Sequence, residues 1–420
     1  MAVMTSLAVA LFLSLGSGSA GSTFSVSGAE SDTLREETSV IESAVVKADN
    51  VFGLKLFREI NKGSVKESVF ISPLSVAMAL GMTYNGAAGV SAAAMRNTLE
   101  LGEIEREDFN KAYAQLMGSV TAADPEVRLS IANSIWYRED LRFKEDFLGV
   151  NERFFNAQVR ELDFGAANAA NVINKWVSDR TNERIREIVS APIPRDMVMM
   201  LINAIYFKGT WTYEFDEKRT KEDTFTLPDG SKVKCEMMVQ DNEFDYLERD
   251  GLQAIDLPYG NGRFRATVIL PREGAPVDSL VSELSEPGWR EVLAGVRRRE
   301  VIVELPKFKL EYELSMNRAL SALGMGVAFD PKKADFSGMY DGPDPLSISE
   351  VKHKTFVQVD EEGTEAAAVT SVGIVATSIV RKPRMRVDRP FIFAIRDSHS
   401  EALLFIGKIV EPSWEEEDGG

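Results

Sequence analysis

A single cysteine, Cys235, and only two histidines, His353 and His399, occur in 420 residues. One cysteine excludes an internal disulfide and any zinc or iron–sulfur site built on thiolates. Two histidines exclude a histidine-rich metal site. No Gly-x-Ser-x-Gly is present, so no nucleophile elbow surrounds a serine. A Ser-His-Asp hydrolase would need His353 or His399 as its base, and neither sits in such a context. His399 lies in a charged turn, where a solvated surface histidine is expected. Gly260-Asn261-Gly262 lacks the third glycine and the following helix of a dinucleotide fingerprint, and no phosphate loop occurs. The chain therefore reads as no enzyme, with no cofactor and no metal site. No run approaches eighteen apolar residues, so no membrane span is expected. Positive charge is also short: the formal net charge is −17. That balance argues against nucleic acid and anionic membrane surfaces as partners. Arg297-Arg298-Arg299 is the densest basic run, and a solvated face accounts for it better than a glycosaminoglycan site does.

What is present describes one large globular domain. Hydrophobic residues make up 44% of the chain, enough for a sizeable core. Leu7–Leu15 is apolar and is followed by Gly16-Ser17-Gly18-Ser19-Ala20, which fits a secretory signal over residues 1–20 cleaved near Ala20. No Lys or Arg precedes the apolar stretch. Residues 21–47 are Ser/Gly/Glu-rich and are expected to be disordered. Order is expected to begin with a helix near Asp49, whose Phe52, Leu56, Phe57 and Ile60 share one face, with Gly63 as its end. Ser72-Pro73 opens a second, almost wholly apolar helix over Leu74–Met82. Gly86–Leu99 is expected to continue helical, and Asn168–Val189 is amphipathic. Met197–Phe207 then reads as a central strand. Leu252–Leu257 with Phe264–Leu270, and Phe391–Ile395 with Ala402–Ile409, read as two hairpins, and Val301–Phe308 alternates. Helices dominate the first half and strands the second, an α+β chain without βαβ alternation. An acidic tail, 413–420, closes it.

Ala366–Val380 stands apart. It carries no charge and no proline in a chain that is 27% charged, and small and β-branched residues fill it. It reads as a strand, yet acidic residues precede it and Arg381, Lys382, Arg384, Arg386 and Arg389 follow it. The flanks are those of an exposed connection, although an already buried strand would show the same apolarity. A ready-made strand outside the core is an aggregation risk that needs a function to justify it.

Glu361-Glu362-Gly363-Thr364-Glu365-Ala366-Ala367-Ala368 resembles the proximal hinge of the reactive-centre loop of inhibitory serpins. Phe70-Ile71-Ser72-Pro73-Leu74-Ser75, Asn203–Trp211, Leu305-Pro306-Lys307-Phe308, Arg389-Pro390-Phe391 and Phe405–Ile409 with Pro412 resemble further serpin motifs, in order, over 48–412. Ser400-Glu401 departs from the commoner Thr-Gly. The resemblance implies a single large serpin-like domain with a reactive-centre loop at about 361–388. It implies a suicide inhibitor of serine proteases: the target cleaves the loop, an acyl-enzyme forms, and the cut loop inserts into the central sheet before hydrolysis. The partner is then a target protease held in a covalent complex by a metastable monomer. The resemblance also marks Ser72, Ser75, Asn203 and His353 as shutter positions and Trp211 as the breach. Helix capping by Ser72, a satisfied core histidine and one more buried aromatic are the plainer alternatives.

The loop has the composition of an insertable strand. Thr364, Ala366, Ala368, Thr370, Val372, Ile374 and Ala376 would share one face without charge, and Glu365 falls on the other with Ala367, Val369, Ser371 and Val375. At roughly 1 kcal/mol per new hydrogen bond, such a strand would release on the order of 10 kcal/mol. By family spacing from Gly363 the reactive bond is Thr377–Ser378, with Ala376, Ile379, Val380 or Arg381 as alternatives. Val375-Ala376-Thr377 suits a small apolar specificity pocket, elastase-like or subtilisin-like. A non-inhibitory serpin acting as carrier, storage protein or chaperone is the alternative, against which the small hinge residues argue. A cysteine-protease target is not separable from a serine one in the sequence.

Overall fold

The computed structural model describes residues 28–194, 196–249, 251–342, 346–364 and 382–414, with side chains from Val40 onward. The chain divides into two units, Met1–Ser39 and Val40–Gly420. The elements run α1 (Gly28–Asn61), β1 (Val69–Ile71), α2 (Pro73–Tyr84), α3 (Gly89–Thr98), α4 (Arg106–Thr121), β2 (Val127–Arg138), α5 (Glu145–Phe155), β3 (Gln158–Leu162) and α6 (Ala169–Arg180). They continue as β4 (Met199–Thr210), β5 (Lys221–Thr226), β6 (Lys232–Arg249), β7 (Leu252–Pro258), β8 (Phe264–Pro271), α7 (Val277–Glu283), α8 (Glu286–Gly295), β9 (Arg297–Pro306) and β10 (Phe308–Ser315). The last are α9 (Asn317–Leu320), β11 (Glu350–Val359), β12 (Gly363–Thr364), β13 (Arg384–Arg386), β14 (Phe391–Asp397) and β15 (Leu403–Ile409).

Two mixed sheets carry the fold among the described residues. A nine-stranded sheet has the order β1-β15-β14-β8-β7-β6-β9-β13, with β5 pairing β6. A six-stranded sheet has the order β10-β11-β4-β2-β3, and β12 pairs β4. β4 shows why one central strand suits two cores. Its Met199, Leu201, Ile205 and Phe207 join the main core with α2 and the nine-stranded sheet. Its Met200, Ile202, Ala204 and Tyr206 face a second core with Ile173 and Val177 of α6. Burial on both faces erases the polar alternation and leaves the continuous apolar run of its sequence. Both expected hairpins form, β7 with β8 and β14 with β15.

Three boundaries differ from expectation. Residues 28–47, expected to be disordered, lie in α1, so helix begins ahead of Asp49. Leu34, Glu36, Glu37, Ala44 and Lys47 are good helix formers, which a reading of polar composition undervalues. The helix within Asn168–Val189 stops at Arg180, because Asn182 (φ 51) and Glu183 (φ 62) turn the backbone left-handed. Thr181 Oγ1 accepts from Ile185 N at 3.2 Å in that turn, and Ile185 and Ile188 are buried outside any helix. α2 also ends at Tyr84 before α3 begins at Gly89.

Candidate functional site

β4 and β11 are parallel neighbours over seven register pairs, Glu350↔Met200 to Phe356↔Tyr206. Beyond Tyr206 and Phe356 they part, and β12 enters on β4 with the opposite direction: Gly363↔Thr210 and Thr364↔Gly209. The beginning of the expected hinge is thus already a strand at the mouth of the central sheet.

Its seat is closely fitted. Trp211 N–H donates to Glu362 O at 2.8 Å and Trp211 Nε1 to Asp360 O at 3.0 Å. The Trp211 ring stacks on Tyr259 at 4.2 Å, and the Tyr259 hydroxyl meets the buried Thr364 hydroxyl at 2.8 Å. Asp360 Oδ1 accepts from the N–H of both Glu362 and Gly363 at 3.2 Å, closing the turn between β11 and β12. Burial raises the Asp360 carboxyl above its ordinary value despite these bonds. Glu361 is buried, bonded by the Thr220 hydroxyl at 2.7 Å and ion-paired with Lys307 at 3.1 Å. Burial works against the Lys307 ammonium, but the Glu361 carboxylate leaves its pKa raised. Gly363 has φ +151, and a Cβ there would stand 2.2 Å from Gly209 O and 2.8 Å from Thr210 Cα. Only glycine fits this approach of two backbones.

Below the mouth the register aligns a polar row. Asn133 of β2 and His353 of β11 both lie opposite Asn203 of β4. Asn203 Nδ2 donates to Ser75 O at 2.8 Å, and it also bonds Ser75 Oγ and Asn133 Oδ1. His353 Nε2 accepts from Ser72 N–H at 3.1 Å, so the proton sits on Nδ1, which faces Asn203 Oδ1. Burial lowers the His353 pKa from 6.5 to about 3 and keeps the ring neutral. Ser72 Oγ also caps α2 by accepting from Ser75 N at 3.3 Å, so capping and the polar row coexist. Ser72, Ser75, Asn203 and His353 are therefore in one network. Asn133 was not singled out in the sequence, because an Asn inside an unrecognised strand carries no local signal.

The far end of the connection is held by the other sheet. β13 pairs β9 in parallel, Arg386 contacts Asp223 at 2.7 Å, and Lys382 contacts Asp241 at 2.9 Å. Glu365, Ala366, Ala367, Ala368, Thr377 and Ser378 lie outside the described residues. Cys235 is buried, and burial with the nearby Asp223 pushes its thiol up to about 11, an unreactive state. His399 is exposed in the turn between β14 and β15, as expected.

The family model described as Serpin (serine protease inhibitor) matches residues 47–412. The leukocyte elastase inhibitor of Xenopus tropicalis is 33% identical over 371 residues, 86% of this chain and 97% of that protein. The solved structure of tengpin, a thermophilic serpin in its native state, is 36% identical with a TM-score of 0.81, covering 87% of this chain and 94% of that one. Human thyroxine-binding globulin is 24% identical, with a TM-score of 0.82 over 89% of this chain and all of that one, a likeness of fold alone. The chain belongs to the serpin family, a family of protease inhibitors rather than of catalysts.

Proposed function

We propose that this protein is a secreted, monomeric suicide inhibitor of serine proteases with a small apolar specificity pocket, elastase-like or subtilisin-like. The observation that carries the reading is β12, already seated between the diverging ends of β4 and β11. Continuing its register past Thr364↔Gly209 would bring Glu365 opposite Lys208, Ala366 opposite Phe207, Ala368 opposite Ile205 and Thr370 opposite Asn203. Thr364, Ala366, Ala368, Thr370, Val372 and Ile374 would then face the main core, on the side where Thr364 meets Tyr259. Small side chains suit that crowded face, and Glu365 would turn to the other side, towards a lysine. Insertion must break the seven pairs between β4 and β11 and part His353 from Asn203, which is the shutter role proposed for the polar row with Trp211 as the breach.

In the reaction proposed, the protease serine attacks the Thr377 carbonyl carbon and Ser378 leaves as a free amine. The acyl ester is carried with the inserting loop, and the distorted enzyme no longer hydrolyses it. Mixing the protein with elastase, subtilisin, trypsin and a papain-like enzyme should give, with one of the first two, a band on denaturing gels that survives boiling. Mass spectrometry of the released peptide should begin at Ser378. Turnover of the loop by all four enzymes without a covalent band would instead favour a carrier or storage role.

A further inference from the structure

A cavity of ≈ 370 Å³ opens among α2, α4, β2, the end of α5 and α6, and none of its lining residues belongs to β12 or its cradle. The sheet has a natural break there. β3 begins to pair with β2 only at Ser134, so Val127–Asn133 is held by β4 on one side alone. Leu129, Ile131 and Asn133 line the cavity from that free edge.

The lining combines an apolar floor with donors that lack acceptors. Met117, Leu129 and Phe155 supply apolar surface. Asn133 is 5% exposed, and its Oδ1 serves Asn203 while its Nδ2 has no partner among the described residues. Trp176 Nε1 is likewise buried without an acceptor. Buried donors left unpaired are costly, so a ligand that accepts from them gains more than an exposed contact would. Arg180, exposed in the last turn of α6, lies 5.6 Å over the Trp176 ring, and Arg153 joins it in the lining. In a chain of net charge −17 this is a local concentration of positive charge. Gly118, inside α4, is the second oddity. A Cβ there would meet no heavy atom of the described residues within 4 Å, so none of these neighbours requires a glycine. Glycine in a helix interior is destabilising relative to alanine.

We propose that this cavity binds a small amphipathic monocarboxylate of the medium-chain fatty-acid type. Its carboxylate accepts from the Arg180 guanidinium and the Trp176 indole N–H, with the Asn133 amide as a further donor. Its chain covers Met117, Leu129 and Phe155. An inorganic anion would leave the apolar floor wet, and an alcohol would leave the guanidinium without a counter-charge. The volume falls within the ~300–1,000 Å³ usual for small-molecule sites.

Isothermal titration and tryptophan fluorescence with sodium decanoate, below its micelle-forming concentration, test the site on the intact protein without any protease. Saturable one-to-one binding is expected, with decan-1-ol weaker by about tenfold or more. Gly118→Phe should abolish binding while keeping the wild-type far-UV spectrum. Arg180→Ala, on an exposed residue outside the core, should weaken it about tenfold and guards against a folding defect in the first variant. Lack of saturable binding to the wild type, equal affinity for decanoate and decan-1-ol, or full binding by a folded Gly118→Phe overturns the proposal. None of these outcomes depends on whether the loop inhibits a protease.

Discussion

Gly363 and His353 are two positions where a single side chain decides the local packing. A methyl group at 363 would sit 2.2 Å from a carbonyl oxygen of β4, and the backbone there is left-handed at φ +151. Gly363→Ala is therefore expected to unseat β12, with a loss of about 1–3 kcal/mol of stability. The number of inhibitor molecules consumed per protease trapped should rise several-fold. Titration of a target protease measures this, and an unchanged stoichiometry would contradict the packing argument. His353 gives a pH signature. The ring stays neutral in the fold down to about pH 3, whereas the unfolded chain takes up a proton near 6.5. Between those values the unfolded state binds more protons, so stability falls as pH falls, by up to about 1.4 kcal/mol per pH unit. His353→Gln lacks that titration. It should melt lower than wild type at neutral pH, and the gap should narrow in acid. Parallel losses in the two proteins between about pH 7 and pH 4.5 would sink the assignment of this slope to His353.

β12 is short, yet its two register pairs set the phase of everything that would follow it. Because side chains alternate along a strand, that phase decides that Thr364 and Ala366, not Glu365, would meet the core. Thr364→Arg should accordingly leave cleavage intact and convert the protein from inhibitor to substrate. An arginine there would replace a side chain that is 1% exposed and bonded to Tyr259. Gel analysis would then reveal only clipped protein, and a surviving covalent band would refute the register. Elements differed in how far their residues announced them. β14, β15, β7 and β8 alternate or run apolar between clear turn residues, and both hairpins follow from that. β2 was missed because its second half is buried on both faces while its first half is mixed, so neither a period of two nor a clean apolar run survives. The stop of α6 was missed because left-handed Asn182 and Glu183 are not marked by glycine or proline.

Taken as a whole, the molecule keeps its connection between two sheets, with β12 tied to β4 at one end and β13 tied to β9 at the other. The two anchors, on different sheets, restrain the proposed insertion along β4 for as long as both hold. Cutting the connection removes that restraint. The clipped protein should then melt about 10 °C or more above the intact one, as expected if a strand worth on the order of 10 kcal/mol joins the sheet. Equal melting temperatures would end the idea of a metastable native state.

Composition and local pattern were enough to exclude thiolate metal sites and nucleotide motifs, to assign an α+β chain, and to pick out the uncharged run after Glu365. These depend on residue type and short-range spacing, which the chain carries in one dimension. The phase of β12 against β4, the row Asn133–Asn203–His353 and the clash that demands glycine at 363 emerged from pairing between segments far apart in sequence. His353 lies 150 positions from Asn203, and their meeting is set by the register of two strands. Such registers arise from the collective burial of many side chains on both faces of a sheet, so no short stretch of the chain encodes them.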